Sequence, residues 1–341
     1  MTASATKAGP VHALVDRLRQ GDTRALARAI SLVENEAPEA RALLSACFPH
    51  TGSALRIGVT GSPGAGKSTL VDRLARAFCE AGRAVGIIAV DPTSPFTGGA
   101  ILGDRIRFQE RSGELQERPG DPARSGGGSG FYARSMATRG SLGGLAQTTA
   151  DAALVLEASG KEIILVETVG VGQDEIDIAR LADVTLLVLV PGMGDDVQSL
   201  KAGVMEIADI YVINKSDRDG ADRVEQEIRA LQSLAPAQTT AWSPPIVRTI
   251  ATTGDGTRSL VEAITSMDQW LRSGDHLAER RTRHWQLRLS TMLRTELMRR
   301  ARRNGMADDQ LHDHAVCVAS GHQDPWQLIA DLSNRLFEQE S

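Results

Sequence analysis

The segment Gly61-Ser62-Pro63-Gly64-Ala65-Gly66-Lys67-Ser68 decides the fold of this chain. It has the G-x-x-x-x-G-K-S spacing of a phosphate-binding P-loop. The apolar run Arg56–Thr60 before it predicts a strand, and Ser68–Leu74 after it has the apolar spacing of a helix. Such a loop can wrap its backbone N–H groups around a polyphosphate at the helix N-terminus. The alternative is a glycine-rich turn without a ligand, and the Lys67-Ser68 pair argues against it.

Each residue of this loop has an expected contact with the nucleotide. The predicted nucleotide-binding residues are Gly64, Ala65, Gly66, Lys67, Ser68 and Thr69. We expect Lys67 to reach the β- and γ-phosphates, where it would also serve catalysis, and the Ser68 hydroxyl to ligate Mg²⁺. The sequence therefore predicts a site for a nucleoside triphosphate and a magnesium ion.

The composition is that of an ordinary globular chain. Of its 341 residues, 41% are hydrophobic and 24% are charged, and the length suits one large domain or two modest ones. The net charge of −5 argues against a general nucleic-acid binder. The apolar stretches are strand-sized and Met1–Pro10 is polar, so we expect neither a membrane span nor a secretory signal. Three separated cysteines, without a Cys-x-x-Cys pair or a His-rich tract, predict a cytoplasmic protein without a soft-metal site.

Short β-rich runs alternate with helical segments from Leu55 onward. The six runs are Arg56–Thr60, Val85–Val90, Ile163–Val166, Val184–Val190, Ile210–Ile213 and Ile246–Ile250. They are nearly continuous in apolar residues, as expected for parallel strands that helices cover on both faces. The pattern predicts an α/β fold, a three-layer P-loop NTPase domain with a mostly parallel sheet. Ligand groups should then gather at the carboxyl ends of the strands.

Helical segments flank this domain on both sides. Val11–Arg19 and Thr23–Cys47 have helical spacing, and Ala37-Pro38 should interrupt the second. Beyond Ser273 the apolar pattern is again helical. The expected parts are an N-terminal helical extension over residues 1–50, the P-loop domain over 51–272 and a C-terminal helical arm over 273–341.

The C-terminal arm is rich in arginine. We expect these side chains to form a solvated helix face, and a site for an acidic partner is the alternative. The arginines concerned are Arg280, Arg281, Arg283, Arg299, Arg300, Arg302 and Arg303.

Asn214-Lys215-Ser216-Asp217 follows the predicted strand Ile210–Ile213 and should select the base. The Asp217 carboxylate can accept hydrogen bonds from N1–H and the exocyclic amine of guanine, whereas adenine would leave it unsatisfied at a cost of about 1–3 kcal/mol. Asn214 would brace the loop, and the stem of Lys215 would lie over the base. A polar turn at a strand end is the alternative. The segment therefore predicts that the base of the bound nucleotide is guanine.

Carboxylates also follow other strands. Glu167-Thr168-Val169-Gly170 stands where Asp-x-x-Gly is usual, so Glu167 should serve Mg²⁺ or its water and the Gly170 N–H should sense the γ-phosphate. Asp91, at the end of the run Val85–Val90, is a second carboxylate aimed at the same point. Asp104 is either a third or a helix cap.

Three blocks resemble the MeaB/ArgK family, the GTPases that accompany adenosylcobalamin-dependent methylmalonyl-CoA mutase. Val90–Arg105 is similar to that family's nucleotide-responsive loop, Glu167–Gln173 to its second switch and Pro191–Gly203 to its third. The resemblance covers roughly Val11 to Leu336, with a break at a glycine-rich loop. It implies a GTPase of the signal-recognition/MinD type, a homodimer whose appended C-terminal helices build the dimer.

The resemblance also implies roles for matching residues. Asp91, Asp104 and Glu167 would arrange Mg²⁺ and water, and the Ala251 N–H would contact the base. Gln198 and Lys201 would form the third switch, which responds to the partner mutase. Lys201 could then compensate transition-state charge as a lysine analogue of an arginine finger, and a solvated lysine is the alternative.

The implied function is GTP binding and hydrolysis that gate the delivery of adenosylcobalamin to a methylmalonyl-CoA mutase-type enzyme and exclude damaged cofactor. The implied partners are that mutase and its adenosyltransferase. A nickel-insertion GTPase and a P-loop kinase are two alternatives; the first lacks its metal segment here, and the second would not need Asp217. A scaffold that binds nucleotide without turnover is the third.

Three departures from the family pattern affect these roles. The loop Ser112–Gly130 is longer than expected, which leaves the geometry around Asp104 open. Ile250 replaces the usual serine beside Ala251, where we expect little loss because a backbone group makes the contact. Gln173 lies two residues further from the switch glycine than the water-positioning glutamine of small GTPases, so its catalytic role stays open.

Overall fold

A computed structural model describes residues 9–91, 130–137, 144–168, 174–192, 205–234, 242–303 and 308–338. Its contacts divide the chain into two compact units, Met1–Arg281 and Thr282–Ser341. The first unit holds the P-loop and all strands of the described ranges. The second is helical in its described residues.

Seven parallel strands form one sheet in the order β3-β2-β4-β1-β5-β6-β7. The strands are β1 (Leu55–Thr60), β2 (Val85–Asp91), β3 (Phe131–Ala137), β4 (Ile163–Glu167), β5 (Val184–Leu189), β6 (Ile210–Asn214) and β7 (Ile246–Thr249). Strand β1 is central, with β4 on one side and β5 on the other. The P-loop therefore leaves the middle of the sheet.

Helices of the first unit cover both faces of this sheet. They are α1 (Pro10–Arg19), α2 (Thr23–Glu34), α3 (Ala40–Cys47), α4 (Lys67–Glu80), α5 (Gly144–Ala158), α6 (Asp174–Ala179), α7 (Ala221–Leu234) and α8 (Thr257–Arg272). Helix α9 (His276–Arg303) runs from the first unit into the second, which also contains α10 (Asp308–Ala319) and α11 (Pro325–Glu338). A short 3-10 turn, Phe48–His50, follows α3.

The alternation of strand side chains divides the buried apolar residues between the two faces of the sheet. Ile57 of β1 packs with Leu70 and Leu74 of α4 and with the apolar face of α8. The next residue, Gly58, faces the opposite side, where an added Cβ would lie 2.9 Å from Ile178 Cγ1. This close approach lets α6 pack directly on the backbone of β1. Strands β1, β4, β5 and β6 are buried on both faces, as their continuous apolar runs predicted, whereas β7 exposes Arg248.

The N-terminal helices pack on the same core as α5. The predicted helical segments are confirmed, with the interruption between α2 and α3 at residues 35–39. Asp22 caps α2 by accepting hydrogen bonds from the backbone of Arg24 and Ala25 at 2.9 and 3.0 Å. Glu34, at the end of α2, pairs with Arg134 of β3.

The six predicted strands are all present, and a seventh was missed. Strand β3 pairs with β2 from Val85↔Phe131 to Asp91↔Ala137. Its sequence, Phe-Tyr-Ala-Arg-Ser-Met-Ala, includes Arg134 and Ser135 and directly follows a glycine-rich segment. An edge strand tolerates polar side chains that a continuous apolar pattern excludes, so the criterion that found the other strands could not find this one.

The prediction of a solvated arginine face is wrong for two residues. Arg280 donates to Asp209 Oδ2 at 2.7 Å and Oδ1 at 2.8 Å, and Arg281 donates to Asp183 Oδ2 at 2.8 Å. Asp183 and Asp209 directly precede β5 and β6, so these pairs hold the start of α9 to the amino end of the sheet. Arg283, Arg299, Arg300 and Arg302 are exposed as expected. The side chain of Arg303 lies outside the described residues.

The second unit exposes several large apolar side chains. Leu289 and Leu293 of α9 are 58% and 60% exposed, and Trp326 of α11 is 81% exposed. Arg288 lies over the ring of Trp285 at 4.8 Å from its centroid. Within the described parts of the chain, no helix combines the length and the apolar character that crossing a membrane requires.

Candidate functional site

Two glycines of the loop between β1 and α4 are required by geometry. Gly61 has φ +135°, and an added Cβ would lie 2.1 Å from the carbonyl oxygen of Val188 in β5. Gly66 has φ +88°, and its added Cβ would lie 2.5 Å from Asn214 Nδ2. Any side chain at either position would clash as well as strain the backbone. The motif glycines therefore allow the loop to pack between β5 and Asn214.

Lys67 is the first residue of α4 and is buried. Its Nζ donates to the carbonyl oxygens of Gly61 at 2.6 Å and Ser62 at 2.9 Å. The ammonium group is thus held against the loop that the motif predicts to wrap phosphates. A polyphosphate bound there would offer this lysine stronger acceptors than two neutral carbonyls.

Ser68 and Glu167 meet at the carboxyl ends of the central strands. The Ser68 hydroxyl donates a short hydrogen bond to Glu167 Oε1. Glu167 is buried and is the last residue of β4, in register with Val59 of β1. A hydroxyl and a carboxylate are hard oxygen donors of the kind that Mg²⁺ prefers, so this pair fits a magnesium site.

The end of β2 lies beside this pair. Ala89 is in register with Glu167, and Asp91 ends the strand two residues later. The backbone of Asp91 is therefore at the carboxyl edge next to β4, as predicted, while its side chain lies outside the described residues. Among the side chains that are described, no cluster of three or more His, Cys, Asp or Glu is placed to hold a metal ion.

Asn214 connects the predicted base segment to the P-loop. It ends β6, is buried, and donates from Nδ2 to the carbonyl oxygen of Ala65 at 2.8 Å. Its Oδ1 accepts from Thr249 Oγ1 at 3.2 Å and from the backbone N–H of Ala251 at 3.0 Å. One amide thus joins the P-loop, β6 and the segment after β7.

Lys215 makes a second connection to the P-loop. Its Nζ donates to the carbonyl oxygen of Gly64 at 2.7 Å, and its backbone has φ +54°. This left-handed conformation turns the chain sharply after β6, and the N–H of Arg218 closes the turn on the carbonyl of Lys215 at 3.0 Å. Asp217, inside that turn, is exposed. Its carboxylate is accessible to a ligand.

The structure thus brings together residues from four predicted segments. These are Gly64, Ala65, Gly66, Lys67, Ser68 and Thr69 of the P-loop, Glu167, the pair Asn214 and Lys215, and Ala251. The N–H of Ala251 contacts Asn214 here, so a guanine oxygen would have to share this donor. The other predicted residues, Asp104, Gly170, Gln173, Gln198 and Lys201, lie outside the described residues.

One residue of this arrangement was not predicted from the sequence. Arg73 of α4 donates from Nε to the carbonyl oxygen of Ala251 at 2.9 Å, and from Nη2 to that of Thr252. Arg73 belongs to no motif; it stands six residues after Lys67. Only its position on α4, opposite the segment after β7, distinguishes it from other helix arginines.

A parallel sheet, a P-loop and an Asn-Lys-x-Asp segment bonded to that loop define a P-loop GTPase. The family model described as methylmalonyl Co-A mutase-associated GTPase MeaB matches residues 26–306. The chain belongs to the MeaB family and is a GTPase, which confirms the resemblance drawn from its three blocks.

Curated relatives agree with this assignment. A Pyrococcus horikoshii protein that is named as a GTPase is 50% identical over 274 residues, which cover 80% of this chain and 82% of that protein. The Escherichia coli GTPase ArgK is 42% identical, covering 62% of this chain and 60% of its own. The Mus musculus methylmalonic aciduria type A homolog, mitochondrial, is 35% identical, covering 79% and 67% respectively.

One solved structure matches over nearly the whole chain. It is the crystal structure of a LAO/AO transport system kinase, which is 28% identical to this chain. The match covers 98% of this chain and 100% of the kinase, with a TM-score of 0.68. The likeness supports the three-layer P-loop fold together with its helical additions.

Proposed function

We propose that this GTPase is an accessory protein of an adenosylcobalamin-dependent acyl-CoA mutase of the methylmalonyl-CoA mutase type. GTP binding and hydrolysis would gate the delivery of adenosylcobalamin to that enzyme and protect it from damaged cofactor. The family description and the name of the mouse relative support the mutase as partner. Its adenosyltransferase is a further proposed partner, and the proposed location is the cytoplasm.

The observation that carries the nucleotide part of this proposal is the double contact of Asn214. Its amide bonds Ala65 in the phosphate loop and Ala251 in the proposed base loop. The segments that contact the phosphates and the base of a bound nucleotide would therefore be held at a fixed distance from each other. Asp217, exposed in the adjoining turn, would accept hydrogen bonds from the N1–H and amine of guanine.

The chain's own residues supply the phosphate chemistry. Backbone N–H groups from Gly64 to Thr69 and the Lys67 ammonium would surround the β- and γ-phosphates, and water would displace GDP from the γ-phosphorus. Ser68, Glu167, Asp91 and Asp104 would hold Mg²⁺, which when bound neutralises phosphate charge. The Gly170 N–H would sense the γ-phosphate, and Gln198 and Lys201 would form the third switch, in which Lys201 would bring a cation toward the nucleotide.

The proposed homodimer would use the helices of the second unit. Leu289, Leu293 and Trp326 are exposed apolar side chains on two of those helices. A second copy would remove them from water, and burial of such residues is the main driving force of association. Sedimentation of the wild-type chain and of a Leu289→Glu/Leu293→Glu variant tests this: the wild type should be dimeric and the variant monomeric.

The mutase proposal is tested by affinity capture with purified components. The tagged chain, loaded with GDP or with a non-hydrolysable GTP analogue, is mixed with candidate cobalamin-dependent mutases. Nucleotide-dependent retention of one mutase, and transfer of adenosylcobalamin that requires GTP hydrolysis, are expected. Retention of none of them in either nucleotide state would contradict the proposal.

A further inference from the structure

Arg73 joins the helix behind the phosphate loop to the loop proposed to contact the base. Its guanidinium bonds two successive carbonyl oxygens, those of Ala251 and Thr252, from a position almost two turns into α4. These two carbonyls belong to the turn whose Ala251 N–H faces Asn214. The arginine therefore holds the opposite side of the peptide segment that presents that N–H.

The contacts form a closed circuit. Ala65 of the P-loop accepts from Asn214, and Asn214 accepts from Ala251. The carbonyl of Ala251 accepts from Arg73, and α4 leads back from Arg73 to the P-loop. Every link is a hydrogen bond or a continuous helix. The circuit therefore links the phosphate loop to the base loop through contacts within the protein.

The chemistry of the arginine side chain suits this task. Carbonyl oxygens only accept, and a planar guanidinium presents several N–H donors in a fixed fork, so one side chain can orient two carbonyls at once. The turn it holds is tight: Gly254 has φ +93°, and its N–H bonds the carbonyl of Ile250 at 2.9 Å. A lysine could reach one carbonyl but would not fix the direction of the second.

We propose that Arg73 is a positioning residue for guanine selectivity. It touches no part of the nucleotide; it holds the Ala251–Thr252 segment so that the Ala251 N–H and Asn214 stay in place to receive the base. This inference rests on the guanine site proposed above. Loss of Arg73 should weaken the contacts to the base of the nucleotide and leave the contacts to its phosphates unchanged.

The test compares three variants of the full chain. Arg73→Met removes both hydrogen bonds, Arg73→Lys keeps a cation that can reach one carbonyl, and Arg258→Met is the matched control. Arg258 is an exposed arginine on α8 whose ion pair is with Glu262 of the same helix. Dissociation constants of GDP, GTP and ATP are measured by displacement of a fluorescent GDP analogue, and turnover is followed at saturating GTP.

We expect the loss of Arg73 to weaken binding of the guanine base without changing binding or hydrolysis at the phosphates. Arg73→Met should raise the dissociation constants of GDP and GTP about tenfold, because the segment that presents the Ala251 N–H loses both hydrogen bonds that hold it, and should leave that of ATP unchanged. Turnover at saturating GTP should stay within about twofold of wild type, since the phosphate site keeps its residues. Arg73→Lys should recover part of the lost affinity, and Arg258→Met should behave as wild type.

Two results would overturn the inference. Unchanged dissociation constants of both GTP and ATP in folded Arg73→Met, with or without a lower melting temperature, would make Arg73 a structural residue only. An equal loss for GTP and ATP would place its effect at the phosphates. Failure of the guanine site itself is recognised separately, because Asp217→Asn would then leave GTP selectivity intact.

Discussion

Asn214 and Ala65 are separated by 149 residues, yet Asn214 Nδ2 donates a 2.8 Å hydrogen bond to the carbonyl oxygen of Ala65. The P-loop follows β1, and Asn214 ends β6, which is two strands away across β5. Parallel strands end at the same edge, so the loops after β1 and β6 meet above β5. Gly66 is the residue that permits this meeting, because a side chain there would collide with the Asn214 amide. The contact makes the base segment part of the phosphate site.

Base selection should depend on Asp217. In Asp217→Asn an amide donor replaces a carboxylate acceptor, so GTP affinity should fall about a hundredfold while xanthosine triphosphate, which has a carbonyl in place of the amine, becomes a ligand. Competition binding with GTP, ATP and the xanthine nucleotide measures this. Asp219→Asn, in the same exposed turn, is the control and should keep the wild-type preference. Undiminished GTP preference in the Asp217 variant would remove this residue from the base site.

Lys67→Ala should abolish GTP turnover, because no other side chain in the described P-loop can bring a cation to the phosphates. The same change removes the two hydrogen bonds that Lys67 makes to Gly61 and Ser62. We therefore expect the nucleotide-free variant to be less stable by about 1–2 kcal/mol, with its fold retained. Calorimetric melting and single-turnover assays measure the two effects. Wild-type turnover in the variant would contradict the phosphate-site assignment.

The ion pair between Asp183 and Arg281 should contribute to stability. Asp183 is 1% exposed and accepts from the backbone N–H of Arg56 at 3.0 Å and from Arg281. Burial alone would lower the pKa of Arg281, but the hydrogen bonds and charge of Asp183 outweigh it, and the pKa is raised. Asp183→Ala leaves a part-buried guanidinium without this partner and should cost about 3–5 kcal/mol in urea unfolding.

The control for this change is Glu262→Ala. Glu262 pairs with Arg258 on the exposed surface of α8, within one helix. Such a pair contributes about 0.3–0.5 kcal/mol, so the variant should unfold close to wild type. Equal destabilisation by the two substitutions would show that Asp183 has no special role at the amino end of the sheet.

The parts of the nucleotide site that lie in short, continuous motifs could be predicted from the sequence. Lys67 and Asn214 each follow a continuous apolar strand, and both stand in short motifs with fixed spacing. Arg73 and β3 were not predictable in this way. The partners of Arg73 lie 178 and 179 residues further along the chain, and β3 carries polar residues that an edge strand tolerates. Arg280 and Arg281 were misassigned for the same reason, since Asp183 and Asp209 are remote in sequence.

The cysteines should differ in reactivity. Burial raises the pKa of the Cys47 thiol from 9.0 to about 11, whereas Cys317 is exposed. Since the thiolate is the nucleophile, Cys317 should react first with iodoacetamide at pH 8, and Cys47 should react only on unfolding. The folded state holds the Cys47 proton more tightly than the unfolded state, so stability should decrease as the pH rises from about 9 to about 11.

Peptide mass mapping of the alkylated chain, before and after denaturation, measures this order. The stability effect is checked by urea unfolding of wild type and Cys47→Ala across the same pH range. The decline assigned to Cys47 should be absent in the variant. Rapid labelling of Cys47 in the folded chain at pH 8 would contradict its protected state.

Lys201 separates a partner-regulated GTPase from one that acts alone. Lys201 lies outside the described residues. Its segment follows β5, which ends at Leu189. Strand β5 pairs with β1 up to Thr60↔Leu187, and the P-loop begins directly after Thr60. The described start of that segment, which ends at Gly192, therefore lies beside the strand that leads into the P-loop. If a bound mutase brings Lys201 to the phosphates, stabilising the developing charge by about 3–5 kcal/mol would accelerate hydrolysis by two to four orders of magnitude.

Lys201→Ala should then leave intrinsic hydrolysis almost unchanged and remove most of the acceleration by the mutase, because the lysine would act only in the complex. Single-turnover GTP hydrolysis with and without the captured mutase measures both rates, and Lys201→Arg, which keeps the cation, should retain most of the acceleration. An equal loss in both conditions would make Lys201 an ordinary nucleotide ligand. No loss in either condition would leave it a solvated lysine, and the partner's effect would have to come from another residue.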